Sequence, residues 1–396
     1  MLHYNARMAT FAGLGTAHDW RLALDQALGE GAPGSADAVF VFASSHYLAA
    51  FGEILGVVQE RLRPKTLLGC SGQAVIGTGR EMEGVPALSV LSLRLPGAAL
   101  RAFHITQDFL ALAEAPGAWH EALGLRPEAV GAWVILADPF TFDSETLLAR
   151  LSSAYPGAPL VGGMASSAGV GQHTQLFLGS EVHQSGALLL AIGGAWGVLP
   201  VVSQGAAPIG ETWTITEADR NIVRALGGRP PLEVLVDTLR ALPPDVQQRA
   251  SRNLLVGLAM DEYRDEFRRG DFLIRNLLGA DQESGIVAIG DVPRVGQTLQ
   301  FQVRDGNAAG EELREMLFEA HSGLGSRKPA GALLFACNGR GAGLFGAPNH
   351  DARAIEQEFG GLPVAGFFCN GEIGPVGGRN FLHGFTASIA LFVPVA

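Results

Sequence analysis

The sequence predicts an α/β (α+β) protein with two domains, in which mixed β-sheets are covered by helices. Three observations support this prediction. Short apolar runs typical of buried strands alternate with segments of helical periodicity. The same order of segments recurs along the chain, which indicates internally repeated β-α-β-β units. The chain has 396 residues, more than one ordinary core holds, so we expect two domains.

Each repeated unit has an apolar strand ending in small or polar residues, a crossing helix and a second apolar strand. In the first unit these segments are 38–46, 48–62 and 67–72. In the second they are 132–140, 143–154 and 158–167, and in the third they are 331–341, 350–359 and 364–372. Asp143 stands where it can cap the helix of the second unit. The period is longer than that of solenoid repeats, so we interpret the units as duplicated domains.

A domain boundary is predicted at Gly227-Gly228, because this pair and the following Pro230-Pro231 are typical of a linker that leads into a helix, here 231–241. The predicted domains are residues 1–227 and 228–396. After this boundary, further strand-like segments resemble a partial fourth copy of the unit. They are 253–262, 272–281, 285–292 and 297–305, with 211–219 before the boundary.

The charge and cysteine content exclude several functional classes. The net charge is −11 and the chain has only 28 Lys plus Arg, so it lacks the basic stripe that nucleic-acid binding needs. The uncharged stretch 186–204 is broken by glycines and Pro200, which favours two strands joined by a turn over a membrane span. Three cysteines without a CxxC pair indicate neither a disulfide framework nor a metal site. The first residues show no signal peptide, so we expect a cytoplasmic protein.

The densest polar cluster lies at the strand ends of the third unit. Cys337-Asn338-Gly339-Arg340 follows its first strand, and Cys369-Asn370-Gly371-Glu372 follows its second. If these strands are parallel and joined by a right-handed crossover, both ends meet at one edge of the sheet. Ligands bind at such edges in open α/β sheets. The sequence therefore predicts a small-molecule site at this rim.

Other interpretations of the same residues stay open. Asn-Gly is common in turns, buried cysteines act as small apolar residues, and Arg340 with Glu372 could form an ion pair that closes the edge. Asn349, His350 and His383 are typical of helix caps or turns. Cys337 or Cys369, with a histidine and Glu372, could also form a nucleophile, base and orienting group. The sequence assigns no catalytic residue.

Cofactor motifs are weak. The segment 341–346 matches GxGxxG after a strand, but Pro348 lies where a dinucleotide-binding helix should already be running. We therefore expect no cofactor and no metal. The corresponding strand ends of the first two units carry different residue types, which predicts a different ligand there or none. These ends are 44–46 with 70–71 in the first unit and Asp138 with 164–167 in the second.

Several separated motifs, taken in order, resemble the FIST family, with its N-terminal and C-terminal domains. They are RNIVRALGGRPPLEVL, GDFLIRNLLGADQESG, VPRVGQTLQFQVRD, FACNGRG, PNHD, LPVAGFFCNGEIGP and FLHGFTASIALF. The resemblance runs from about residue 30 to the end of the chain. It implies that residues 1–227 are FIST N-terminal-like and residues 228–396 FIST C-terminal-like.

The resemblance implies an intracellular sensory module that binds a small ligand, such as an amino acid or a derivative, and acts in signal transduction. The positions that match the family pattern in the C-terminal half are Cys337, Gly339, Arg340, Gly341, Asn349, His350, Gly371, Glu372, Gly374 and His383. The chain departs from the pattern at Gln73, where an acid is common, which weakens a site in the first half. Relatives often carry an output domain. We expect no output domain within these 396 residues, so we expect the signal to pass to a separate partner protein.

Three functional hypotheses follow. The first is a stand-alone sensory protein that binds an amino-acid-like ligand, with no nucleic-acid or membrane partner. The second is a thiol-dependent enzyme that uses Cys337 or Cys369. The third is a protein-interaction platform without a ligand. The ligand-binding residues predicted for the first hypothesis are Cys337, Asn338, Arg340, Asn349, His350, Cys369, Asn370, Glu372 and His383.

Overall fold

The structure is a computed structural model that describes residues 10–29, 35–168, 173–250, 253–264, 266–267 and 270–395. The chain forms two compact units. The first contains the residues up to Val202 together with those from Leu313 onward, and the second contains Ser203–Glu312. These bounds differ from those of the predicted domains, 1–227 and 228–396. That predicted division rests on the Gly-Gly and Pro-Pro pairs of the sequence and stays a prediction.

The first unit contains three six-stranded sheets. In spatial order, sheet 1 consists of β1 (Phe11–Thr16), β6 (Ala87–Leu93), β2 (Ala36–Ser44), β3 (Pro64–Gly72), β10 (Leu176–Leu178) and β11 (Glu181–His183). Sheet 2 consists, in the same way, of β7 (Ala98–Ile105), β12 (Ala187–Gly194), β8 (Ala132–Ala137), β9 (Leu160–Met164), β22 (Glu372–Val376) and β23 (Arg379–His383). Sheet 3 consists of β13 (Trp196–Ser203), β24 (Ala387–Pro394), β20 (Gly331–Cys337), β21 (Val364–Cys369), β4 (Val75–Gly77) and β5 (Arg80–Met82).

Each sheet is built around one parallel pair of strands, and the three sheets exchange hairpins. The pairs are β2 with β3, β8 with β9 and β20 with β21. The hairpin that follows each pair along the chain joins a different sheet: β4–β5 pairs with β21, β10–β11 with β3, and β22–β23 with β9. The exchange is therefore a closed cycle. Descent of the three units from an internal repeat stays a prediction.

Helices cover one face of each sheet. Sheet 1 packs against α1 (Trp20–Leu28) and α2 (Phe51–Leu62), and sheet 2 against α3 (Gln107–Leu112), α4 (Pro116–Leu123) and α5 (Ser144–Ala154). Sheet 3 packs against α8 (Gly306–Leu324) and α10 (His350–Phe359), and the short α9 (Ala342–Phe345) precedes α10. The predicted cap of α5 is confirmed, because Asp143 Oδ1 accepts a hydrogen bond from Thr146 N at 3.0 Å.

The inner faces of the three sheets meet in one shared core. Phe42 of sheet 1 stacks on Phe367 of sheet 3 with ring centroids 5.0 Å apart, and Phe335 meets Phe367 edge-on at 5.8 Å. Leu136 and Leu188 of sheet 2 belong to the same cluster. Because both faces of these strands are buried, the strands are apolar along their whole length. This explains the continuous apolar runs in the sequence.

The second unit is a closed antiparallel barrel. In spatial order its strands are β14 (Ala206–Asp219), β15 (Ile222–Leu226), β18 (Val287–Ile289), β17 (Phe272–Ala280), β16 (Leu254–Ala259) and β19 (Thr298–Arg304). The helices α6 (Pro231–Ala241) and α7 (Pro244–Ala250) also belong to this unit. The prediction of a partial fourth β-α-β copy here is wrong. The neighbouring strands pair antiparallel, and the described residues between β16 and β17 and between β17 and β18 form no helix that could act as a crossover.

The mixed α/β fold class is confirmed. The predicted glycine turn within 186–204 is also confirmed, since β12 and β13 flank Ala195 there. Across the residues that the structure describes, no helix combines the length and apolar character needed to cross a membrane.

Candidate functional site

The two Cys-Asn-Gly segments lie side by side at the ends of β20 and β21. These strands are parallel, and Cys337 is in register with Cys369. Asn338 N donates a hydrogen bond to Cys369 O at 2.9 Å, so the backbones stay paired one residue beyond the strand. The side chains then meet directly, because Asn338 Nδ2 donates to Asn370 Oδ1 at 2.7 Å. The geometry expected from a parallel crossover unit is therefore present.

The second asparagine also binds the end of β9. Asn370 N donates to Met164 O at 3.1 Å, and Asn370 Nδ2 donates to Ala165 O at 3.2 Å. Asn370 is nevertheless exposed, while Asn338 is half-buried. The two amides thus form a fixed polar pair with one face open to solvent.

Serines at the ends of β3 and β9 extend this polar rim. Ser71 Oγ donates to Ser166 O at 3.1 Å, and Ser166 N donates to Ser71 O at 3.2 Å. Ser166 Oγ accepts from Gln73 N at 2.7 Å and donates to Phe368 O. The second strands of all three parallel pairs therefore end against one another. We call this junction, formed by Ser71, Ser166, Asn338 and Asn370, the strand-end rim.

The cysteines differ in exposure. Cys70 and Cys369 are fully buried free thiols, whereas Cys337 is half-buried. Burial raises the pKa of the Cys369 thiol well above its usual value, and the Glu372 carboxylate raises it further. A Cβ on Gly163 would lie only 2.5 Å from Cys369 Sγ, so Gly163 allows the close approach of β9 to this thiol. Since the thiolate is the nucleophile, Cys369 is poorly suited to thiol chemistry.

Arg340 is held by a buried ion pair. Its Nε and Nη2 atoms lie 2.6 and 3.0 Å from the two carboxylate oxygens of Asp351, and both side chains are at most 1% exposed. Burial alone would raise the pKa of Asp351, but the Arg340 guanidinium and a hydrogen bond from His350 outweigh it and lower that pKa to about 2. Arg340 Nη1 also donates to Phe385 O at 3.3 Å.

Asn349 and His350 lie at the start of α10, where they contact structural partners. Asn349 is the cap residue, and its Oδ1 accepts a hydrogen bond from Glu81 N at 2.7 Å. His350 Nδ1 lies 2.9 Å from Asp351 Oδ1, and its ring stacks on Phe345 at 3.6 Å between centroids. Both residues therefore help to fix α10.

Glu81 completes this arrangement from the β4–β5 hairpin. Its Oε1 accepts a hydrogen bond from Ala352 N at 2.9 Å, one of the donors that a helix leaves unsatisfied in its first turn. Glu81 is 5% exposed, and among the described residues its Oε2 has no hydrogen-bond partner. Burial raises the pKa of Glu81 to about 7, and the Asp351 carboxylate contributes to the shift. The Glu81 carboxyl therefore changes between its protonated and its ionised form near neutral pH.

Glu372 and His383 are buried behind the rim as a cross-strand pair of β22 and β23. Glu372 Oε2 accepts from Thr386 N at 3.1 Å, and His383 Nε2 lies 3.0 Å from Gly374 O. In the turn that follows β23, Phe385 has a φ of +66°, a conformation that costs energy for a side chain of this size. Its carbonyl oxygen is the one that Arg340 binds.

The structure thus divides the nine predicted ligand-binding residues into three groups. Four lie at the strand ends, namely Cys337, Asn338, Cys369 and Asn370. Three others, Arg340, Asn349 and His350, surround the start of α10, and Glu372 and His383 are buried in sheet 2. Contact of any of them with a ligand stays a prediction.

The sequence predicted a different ligand, or none, at the strand ends of the first two units. In the structure, Ser71, Gln73 and Ser166 from those units adjoin this site. Their position after the second strand of equivalent units was the signal that could have placed them there. The accessible rim groups are the side-chain amides of Asn338 and Asn370, whose chemistry is hydrogen bonding, whereas Ser71 and Ser166 are fully buried. Among the residues described, no group of three or more His, Cys, Asp or Glu side chains could hold a metal ion.

Several known proteins are similar to this chain over nearly its whole length. An uncharacterized protein of Mycobacterium tuberculosis is 42% identical over 388 residues, which cover 96% of this chain and 98% of that protein. An uncharacterized protein of Mycobacterium bovis is 40% identical over 385 residues, with the same coverage of both chains. Among solved structures, one described as cyanuric acid hydrolase is 10% identical, covers 98% of this chain and 100% of its own, and has a TM-score of 0.32.

The family-level match covers most of the chain. Residues 37–229 match the FIST N domain and residues 231–375 match the FIST C domain. The resemblance inferred from the sequence motifs is therefore confirmed. FIST domains indicate a role in sensing and signal transduction. This chain is a member of the FIST family.

Proposed function

We propose that this protein is an intracellular sensor that binds a small polar metabolite, such as an amino acid, at the strand-end rim and signals through a partner protein. The observation that carries the proposal is the amide pair formed by the half-buried Asn338 and the exposed Asn370. Each amide retains hydrogen-bonding capacity beyond the bond that joins the two, and an amide offers both donors and acceptors. An α-amino acid needs both, because it carries an ammonium and a carboxylate.

Preorganisation supports the same proposal. The two asparagines are fixed by backbone bonds from Asn338 N to Cys369 O and from Asn370 N to Met164 O. A ligand that meets groups already in place loses less conformational entropy on binding. Under this proposal Arg340 and Asp351 position the rim through the Phe385 carbonyl, and they do not contact the ligand.

An intracellular location fits the cysteines. All three are free thiols, and two of them are buried within one core cluster, Cys70 and Cys369. Free thiols persist in reducing compartments. The location and the signalling partner are parts of the proposal that follow from this chemistry and from the family.

The test is a thermal-unfolding screen with the amino acids, followed by calorimetry on those that stabilise the protein. We expect at least one to raise the midpoint, and we expect Asn370→Ala to abolish that effect. Asn370→Asp keeps the size but places a negative charge at the rim, so it should weaken the binding of a carboxylate ligand. Asn307→Ala, which changes the same residue type at an exposed position on α8, is the matched control.

Two results would contradict the proposal. One is a complete panel that stabilises the fold by less than about 1 kcal/mol at saturating concentration. The other is a ligand whose affinity is unchanged by both Asn370 variants. In the first case the interaction platform becomes the better hypothesis.

The thiol-enzyme hypothesis is retained for Cys337 alone. Cys337 is half-buried and lies next to the asparagine pair, whereas the raised pKa of the Cys369 thiol argues against its use.

A further inference from the structure

The parallel strands β20 and β21 end in two cysteines on the same face of sheet 3. Cys337 is directly opposite Cys369 in the register of this strand pair. Side chains alternate along a strand, so both cysteines lie on the same face as Phe335 and Phe367, two residues earlier. That face is the inner one, because Phe335, Phe367 and Cys369 belong to the shared core cluster. The two thiols are therefore neighbours across the strand pair.

The spacing of these neighbours suits a bond between their sulfur atoms. Adjacent strands of a sheet lie about 4.8 Å apart. The Cα atoms of a disulfide usually lie about 4.4–6.8 Å apart, a range that includes this spacing. After burial and the Glu372 carboxylate, the Cys70 and Cys337 thiols also raise the pKa of Cys369. Like charges have this effect only at short range, so the thiols are close together.

The two thiols differ in their access to solvent. Cys337 is half-buried, so a small oxidant can reach its sulfur, whereas Cys369 is fully buried. The thiolate is the form that attacks an oxidant, and the raised pKa of Cys369 makes it a poor first nucleophile. Cys337 is thus the thiol that meets an oxidant, and Cys369 is in place to react with the product.

We propose that Cys337 and Cys369 are an oxidation site that forms a reversible disulfide on reaction with a hydroperoxide. The Cys337 thiolate attacks a peroxide oxygen, the O–O bond breaks, and the products are a sulfenic acid and water or an alcohol. The Cys369 sulfur then attacks the sulfenic sulfur. The S–S bond forms, the S–O bond breaks, and the hydroxyl group leaves as water with the Cys369 proton. The two thiols lose two electrons, and the peroxide gains them.

The site goes beyond the proposed ligand binding, because its chemistry requires neither the rim asparagines nor a metabolite. The Cβ atoms of a disulfide lie about 3.8 Å apart, so the bond would draw the two strand ends together. A strained disulfide of this kind is easily reduced, which makes the oxidation reversible. Disulfides of intracellular proteins are usually transient and redox-sensing.

The test is oxidation of the reduced full chain with hydrogen peroxide, followed by peptide mapping without a reductant. Trypsin cleaves after Arg80, Arg340 and Arg353, so the three cysteines fall on separate peptides. We expect the loss of two of the three thiols and a linked pair of peptides that contain Cys337 and Cys369. Dithiothreitol should restore all three thiols.

Variants separate the roles of the cysteines. Cys369→Ala should leave a sulfenic acid at Cys337, which dimedone traps. Cys337→Ala retains only buried thiols and should lose them about tenfold more slowly or not at all. Cys70→Ala is the matched control, because Cys70 is buried in the same cluster but is opposite Phe42 and Leu176. It should form the disulfide as the parent does. Thermal unfolding checks that each variant is folded.

Three results would overturn the proposal. The first is a native parent that keeps all three thiols in peroxide that oxidises the urea-unfolded chain. The second is a disulfide between another pair of cysteines or between two chains. The third is a folded Cys337→Ala variant that loses its thiols as fast as the parent. Because the rim is tested with a ligand panel on the reduced protein, either proposal can fail without the other.

Discussion

Arg340 and Asp351 form a two-point ion pair that is almost fully removed from solvent, with nitrogen–oxygen distances of 2.6 and 3.0 Å. The pair joins the loop after β20 to the start of α10. Through its third contact, with Phe385 O, Arg340 also fixes the segment that precedes β24. Removing one member of a buried pair leaves the other charge unpaired, so the effect on stability should be large.

We expect Asp351→Asn to lower the free energy of unfolding by about 3–5 kcal/mol, because it strands the Arg340 charge in the interior. Urea unfolding, followed by tryptophan fluorescence, measures the change. The control is Glu53→Gln, which breaks the exposed pair of Arg21 and Glu53 and should cost at most about 1 kcal/mol. Equal losses of unfolding free energy in the two variants would show that burial does not increase the cost of breaking the pair of Arg340 and Asp351.

The stability of the protein should fall as the pH rises from 5 to 8, because the folded-state pKa of Glu81 is about 7 against 4.5 in the unfolded chain. Below pH 4.5 the folded and unfolded states are both protonated at Glu81, and its full contribution is present. Above pH 7 folding requires a buried carboxylate, at a cost of about 3 kcal/mol. Glu81→Gln should remove this slope. Urea midpoints measured across the range test it, and a slope that persists in the variant would assign it to another group.

At acidic pH the sign is reversed. The pKa of Asp351 is lowered to about 2 from 3.8, so the stabilisation by its carboxylate is present above pH 3.8 and is lost as the pH falls towards 2. The expected loss is about 2 kcal/mol. Asp351→Asn, already less stable, should lack this acid-dependent part. A parent and variant whose midpoints fall in parallel between pH 4 and 2 would contradict the assignment.

Alkylation should distinguish the three thiols. In the native protein Cys337 should react first with iodoacetamide, because Cys70 and Cys369 are fully buried and burial raises the pKa of both thiols well above the usual value. Mass spectrometry of digests identifies the modified positions, and unfolding in urea should make all three reactive. Rapid modification of Cys369 in the native state would revive the enzyme hypothesis for that residue.

The contact between Gly163 and Cys369 can be tested with a double-mutant cycle. Gly163→Ala places a Cβ 2.5 Å from Cys369 Sγ and should destabilise the protein by about 1–3 kcal/mol. Cys369→Ala removes that sulfur, so the double variant should recover part of the loss. Purely additive effects would show that another neighbour, such as Phe335, causes the strain.

The sequence was informative where local pattern decides the structure. The apolar strands before Cys337 and Cys369, with a helix between them, predict a parallel pair, and the two cysteines are in register. The partner of Arg340 was not predictable in the same way. Asp351 follows it by 11 residues across two turns and a short helix, and no periodicity links the two positions. Glu81 lies 271 residues from its partner Ala352, and no sequence pattern indicated this contact.

The barrel shows the limit of pattern reasoning. The segment Leu254–Ala259 is apolar like a central strand of a parallel sheet, but it pairs antiparallel with β17 and β19. Apolar content reports burial and not strand direction, which depends on the connections. The pairing of β4 with β21 was likewise invisible, because it joins Val75 to Phe367.

The exchange of hairpins among the three sheets has a consequence for biosynthesis. The hairpin Val75–Met82 emerges early from the ribosome, but the strand it pairs with, Val364–Cys369, is made near the end. Until then the growing chain presents unsatisfied strand edges, which invite association with other chains. Each of the three sheets contains a hairpin from another part of the chain, so sheets 2 and 3 can be completed only when synthesis reaches the last strands.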